Sequence, residues 1–252
     1  MRKRIISGII PFILILTACS QFKAPSQPPS AETQNFKLNL DEGISALNQG
    51  DYEKAIFYLS QAVSLNQNSG MAQNQLGIAY FQKKDYQLAK AQFEKAIALT
   101  PSYAEAFNNL GSIYFILRDL EKATEMFKKA ISLAPNIISP YYSLGNLLLI
   151  QGKIEEGMPY LARGIELDPE YLDKHTSFVT ELAMGELKTA ELYFSYARVF
   201  AAAGNVGKTL EYLGKAEKAH FEDWERILNE KDFEKIKDDP RIQEFIKRRF
   251  LE

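Results

Sequence analysis

The stretch MAQNQLGIAYFQKKDYQLAKAQFEKAIALTPSY, Met71 to Tyr103, is followed by EAFNNLGSIYFILRDLEKATEMFKKAISLAPNI, Glu105 to Ile137, and the two align without a gap. Leu76-Gly77 falls on Leu110-Gly111, Tyr80 on Tyr114, Ala89 on Ala123, Phe93 on Phe127, Ala96 on Ala130 and Pro101 on Pro135, each at an offset of 34 residues. Self-similarity at such a period marks a repeat array, in which each unit buries its apolar face against its neighbours. Carried forward, the same shift meets Leu144-Gly145, Leu148, Gly157, Leu161, Gly164 and Pro169. Carried back, it meets Gly43, Ala55, Leu59 and Ala62, with GDYEKA (Gly50 to Ala55) in the turn.

Within a unit, Phe107, Leu110, Gly111 and Tyr114 have the i, i+3, i+4, i+7 spacing of one helix face. Ala123, Phe127, Ala130 and Leu133 line one side of a second helix. Small residues fall where two helices approach closely, and large ones fill the gaps between them. Pro135 ends the second helix, since proline has no N–H to donate and clashes one turn back. A helical glycine costs about 1 kcal/mol against alanine, so its recurrence at Gly77, Gly111 and Gly145 signals a packing demand.

These recurring positions resemble the tetratricopeptide repeat (TPR). The resemblance implies an all-α solenoid of helix-turn-helix units wound into a right-handed superhelix. The register places four repeats at 36–69, 70–103, 104–137 and 138–171, and a degenerate fifth at 190–223 carrying Tyr193, Tyr196, Ala197 and Phe200. The first repeat departs from the pattern at Asn39, Ala46 and Gln67, as terminal repeats do. Residues 172–189 break the register and are expected to form an inserted helix or linker. In 224–252, Asp239-Pro240 is a helix start. Trp224, Ile227, Phe233, Ile236, Ile242 and Phe245 are expected to bury against the last repeat as a helical cap. Similar endings close many bacterial TPR proteins.

The amino-terminal end obeys other rules. Arg2, Lys3 and Arg4 precede a 12-residue apolar run, Ile5 to Leu16, broken only by Ser7, Gly8 and Pro11. This reads as an export signal. A membrane span takes about 20 apolar residues, so the run is too short for one. Leu16-Thr17-Ala18-Cys19 resembles the lipobox of bacterial lipoproteins. That resemblance implies cleavage after residue 18, a diacylglycerol thioether on Cys19 and a further N-acyl chain. Ser20 in place of aspartate implies export to the outer membrane where the cell has one. Residues 19–35, with Pro25, Pro28 and Pro29 among Ser, Gln and Ala, read as a solvated tether.

Loss of the leader leaves 234 residues with a net charge of −5. A mildly acidic chain lacks the basic face of a nucleic-acid binder. Cys19 is the only cysteine, and His175 and His220 stand 45 residues apart, so no Cys/His metal site assembles. The mature chain has no phosphate loop and no H-E-x-x-H motif, and Glu155-Glu156 reads as a solvated turn. The expectation is a chain with no catalytic residues, metal or cofactor beyond the lipid.

In the TPR family the first helix of each repeat lines a concave groove that holds a peptide or a partner's helix. Carried over position by position, the groove comprises Asn74, Ile78, Phe81 and Gln82, then Asn108, Ser112, Phe115 and Ile116, then Tyr142, Asn146, Leu149 and Ile150. Amides there can donate to and accept from a backbone, and the branched and aromatic residues offer apolar pockets. Phe81, Phe115 and Leu149 equally suit packing against the next repeat. The groove lacks the Lys and Arg with which chaperone-binding TPR proteins clamp terminal carboxylates. The reading is a lipid-anchored scaffold that binds other envelope proteins. The alternatives are an assembly factor for a pilus or secretion machine, or an adaptor for cell-wall enzymes. A lipid or small-ligand carrier and a hydrolase rank below these.

Overall fold

The computed structural model describes residues 30–171 and 186–250. All elements among them are helical. Four antiparallel pairs follow one another: α1 (Ala31–Asn48) with α2 (Tyr52–Leu65), α3 (Gly70–Gln82) with α4 (Tyr86–Leu99), α5 (Ala104–Ile116) with α6 (Leu120–Leu133), and α7 (Ser139–Ile150) with α8 (Ile154–Leu167). A fifth pair is α9 (Glu186–Ala202) with α10 (Val206–Lys218). The tail holds α11 (Arg226–Asn229), a 3₁₀ turn at Lys231–Phe233 and α12 (Pro240–Phe250). The leader, Cys19 and most of the 172–189 segment lie outside the described residues.

Helix α1 starts inside the segment read as tether. Ser30 caps it, its hydroxyl accepting from the Thr33 amide at 3.2 Å, and Glu32 sits in the first turn. A side-chain cap and an acid near the positive helix end are the usual requirements for a start, so the helix gains five residues before position 36.

The period governs backbone conformation as well as composition. The turn between the two helices of each pair has one left-handed residue: Gly50, Lys84, Arg118, Gly152 and Gly204, with φ of 64–79°. The residue that follows donates its N–H back into the first helix, as Asp85 does to Tyr80 and Asp119 to Tyr114, both at 2.9 Å. These bonds close the helix end in the Schellman manner. Asp51 and Asp119 then cap the second helix, accepting from the amides of Lys54 and Lys122.

Close approach explains the recurring glycines. A Cβ on Gly77 would stand 2.6 Å from the Phe93 ring, and one on Gly111 2.6 Å from the Phe127 ring. At Gly145 the corresponding neighbour is Leu161, again at 2.6 Å. The core runs as a chain of clusters from repeat to repeat. Ala72, Leu76 and Ala79 of α3 pack with Ala55, Leu59 and Ala62 of α2. At the equivalent places in α1 stand Leu38, Glu42 and Ser45. No described element covers that face, and Leu38 is 59% exposed.

The other end is closed by the tail. Ile227, Phe233, Ile236, Ile242 and Phe245 are buried in one cluster with Phe194, Phe200 and Tyr212 of the fifth pair. Phe221 stacks on Phe194 at 4.2 Å, and Trp224 meets Phe221 and Phe245 edge-on. The Arg249 guanidinium lies 4.8 Å from the Trp224 ring.

Candidate protein-binding groove

The first helices α3, α5 and α7 lie side by side and are tied across the repeat boundaries by amides. Asn109 Nδ2 donates to Asn74 Oδ1 at 3.0 Å, and Asn108 Nδ2 to Ser139 Oγ at 3.1 Å. The Asn74 amide also faces the Tyr103 hydroxyl at 3.4 Å.

This arrangement divides the twelve expected groove residues. Asn74, Asn108, Phe115, Tyr142, Asn146 and Leu149 are buried between repeats and do not present a surface, which corrects the sequence expectation. The reason is angular: on a first helix, the residues equivalent to Asn74 turn toward the following repeat, and Phe115 packs with Leu144, Leu147 and Leu148 of the next one. Tyr142 stacks on Tyr171 at 4.8 Å and donates to the Asp168 carbonyl at 3.0 Å. Asn146 accepts from the Tyr196 hydroxyl at 2.6 Å. Burial holds the Tyr196 phenol well above its ordinary pKa of 10, so it stays a donor. Leu149 joins the cluster of α9.

The remaining residues stay accessible. Ile78, Phe81, Ser112, Ile116 and Ile150 are half-buried and Gln82 is exposed. The Phe81 ring is held edge-on to Tyr86 at 5.8 Å. The result is an apolar strip with hydroxyl and amide borders. Sequence reasoning left out Met71, which is 53% exposed, and Glu105, also exposed. The same 34-residue register would have found them, because they occupy repeated positions on the accessible side.

It also left out Arg198, which stands in α9 where Ile78, Ser112 and Asn146 stand in their repeats. Arg198 is 3% exposed. Its Nε donates to Asp232 at 2.7 Å, and its Nη2 reaches both Glu155 at 2.9 Å and Glu230 at 3.1 Å. Burial works against the charge, but the bonds to Glu155 and Asp232 outweigh it and raise the guanidinium pKa. The tail thus fills the groove face at the fifth repeat with its own carboxylates.

Among the described residues no group of three or more His, Cys, Asp and Glu could hold a metal ion. No described helix is long and apolar enough to cross a membrane.

Family models of the tetratricopeptide repeat match residues 40–89, 68–136 and 138–171. No curated protein matches the chain by sequence. The chain is similar in structure to the MamA protein, with 19% identity and a TM-score of 0.51 over 79% of this chain and 97% of that one. A MamA RS-1 double mutant gives 20% identity and 0.51 over 73% and 94%. YrrB, described as a TPR protein with an unusual peptide-binding site, gives 21% and 0.48 over 76% and 93%. At such identities the likeness to MamA speaks for the fold alone.

Proposed function

Because the chain belongs to the tetratricopeptide-repeat family, we propose that it is a lipid-anchored scaffold of a bacterial envelope. On this reading it has no catalytic role and holds a segment of a partner protein on α3, α5 and α7. The observation that carries the reading is the accessible strip of Ile78, Ile116 and Ile150 beside the amides of Gln82 and Asn109. Apolar side chains and amides together suit a segment that buries branched residues and pairs its backbone. The lipobox resemblance supplies the anchor. Two or three acyl chains, each gaining about 0.8 kcal/mol per buried methylene, would make it stable. From Ser20 we infer the outer membrane, with the array facing the periplasm, in a cell with two membranes. Within that role, assembly of a pilus or secretion machine and the gathering of cell-wall enzymes are its candidate tasks.

Cys19→Ala is expected to leave an uncut precursor that incorporates no labelled fatty acid. Maturation and membrane partitioning of that variant would overturn the anchor. For the groove, envelopes are crosslinked and the wild type is compared with Ile78→Asp/Ile116→Asp. These half-buried residues are chosen because Phe115 and Tyr142 are core. Loss of captured partners from a variant whose helical circular dichroism is intact supports the groove. Unchanged capture places binding on another face.

A further inference from the structure

The turn that joins the two helices of each pair needs a left-handed residue, and three of the five pairs supply glycine: Gly50, Gly152 and Gly204. Glycine takes that conformation freely, whereas a residue with a Cβ is strained in it. The second and third pairs nevertheless place Lys84 and Arg118 there, with φ of 67° and 64°. A cation just past a helix end gains something from the helix dipole, but no more than the backbone loses. Both side chains are exposed and join no ion pair among the described residues. Neither turn needs them for its own closure. In the fourth turn the residue after Gly152 is Lys153, likewise exposed and outside any ion pair among the described residues.

Three cations thus stand one per repeat along the turn edge of repeats two to four, and they border the accessible strip. Lys84 follows Gln82 by two residues, Arg118 follows Ile116 by two, and Lys153 follows Ile150 by three. Most carboxylates of the same turns are committed elsewhere. Glu53 lies 2.7 Å from Lys83, and Asp85 lies 4.0 Å from it. Asp119 is 2.7 Å from Lys122, and Glu155 is 2.9 Å from Arg198. Glu121 and Glu156 stand in the first turns of α6 and α8, where the positive helix end attracts them. Helices α3, α5 and α7 together contain one charged residue, Glu105, about 16 Å from Ile116 along α5. An apolar strip is therefore bordered by cations on its turn side and by an acid on the far side.

Resting on the groove reading above, we propose that the partner segment is acidic along one edge. Its branched residues lie on Ile78, Ile116 and Ile150, and its carboxylates meet Lys84, Arg118 and Lys153 at the turns. Glu105 repels those carboxylates from the opposite border and so fixes which way the segment faces. The cations thereby supply selectivity and orientation from outside the apolar strip.

Two fluorescein-labelled peptides that share their isoleucines and differ only in carrying glutamate or lysine between them are titrated with the full mature chain. Fluorescence anisotropy should show salt-sensitive binding of the glutamate peptide and little of the lysine peptide. Lys84→Gly/Arg118→Gly removes two exposed charges and two strained residues together. It should weaken the glutamate peptide about tenfold and flatten its salt dependence, while raising the urea midpoint. Equal binding of the two peptides, binding of neither, unchanged affinity in the glycine variant or a fall in its urea midpoint overturns the inference. If instead the mature chain lacking its acyl groups binds phosphatidylglycerol vesicles but neither peptide, and the glycine variant does not, the edge belongs to a lipid surface and the proposal fails. Neutral substitutions in the strip separate the underlying reading. Charge-sensitive binding that survives Ile78→Ser/Ile116→Ser overturns the groove as the seat of the segment. Binding lost in that variant but blind to peptide charge leaves the groove standing and removes the acidic edge.

Discussion

Arg198→Ala is expected to destabilise the carboxyl-terminal end of the array by about 3 kcal/mol, toward the low end of what breaking a buried ion pair costs. The substitution strands Asp232 and Glu230, which are about three-quarters buried and lose the cation that drew them against α9. Their remaining contact with water keeps the cost from being larger. Repeat arrays lose structure locally, because each unit is stabilised only by its neighbours. Trp224, the only tryptophan, sits in the affected tail and reports on it separately from the rest. In urea, its fluorescence transition should move to lower concentration than the circular-dichroism transition of the whole chain. Arg198→Ala/Glu230→Gln/Asp232→Asn should recover part of the loss by removing the stranded charges. A single unshifted transition in Arg198→Ala would mean that the cluster behaves as a surface pair, worth about 1 kcal/mol or less.

Phe127→Ala should cost about 3–5 kcal/mol, the usual range for emptying a buried aromatic site. The ring is 1% exposed, lies under Gly111 and packs with Phe115, Leu144 and Leu148 of the neighbouring helices. Glycine opposite the ring has no side chain that could collapse into the cavity. Phe127→Leu should cost clearly less than Phe127→Ala, because leucine keeps most of the buried volume and leaves a smaller cavity. The array itself supplies the precedent: Leu59 faces Gly43 and Leu161 faces Gly145 at the same register. The measurement is the denaturation midpoint of the two variants side by side. Equal losses would mean that aromatic shape, not buried volume, holds the third pair together.

The architecture was legible because it is written five times. A glycine facing Phe93, Phe127 or Leu161 repeats in sequence because the same helix crossing repeats in space. The beginning of α1 was less legible, since Ser30 and Glu32 sit among tether-like residues and only the cap distinguishes them. Half of the expected groove residues proved buried for a related reason. Periodicity assigns Asn74, Phe115 and Tyr142 to a helix face, but whether the next repeat covers that face depends on rotation between units. Arg198 stands in the 190–223 register where Asn146 stands in 138–171, so extending the groove positions into the fifth repeat would have found it.

The two ends of the array bear on polymerisation. Stacking one chain's last repeat on another's first would be a head-to-tail contact, which generates an open filament unless it happens to close. Glu42 and Ser45 make the leading face a poor seat for an apolar helix, and burying the Glu42 carboxylate there would carry a desolvation penalty. At the trailing end, Phe233, Ile236 and Phe245 already occupy the surface that a copy would need. Growth by self-addition is therefore disfavoured at both termini.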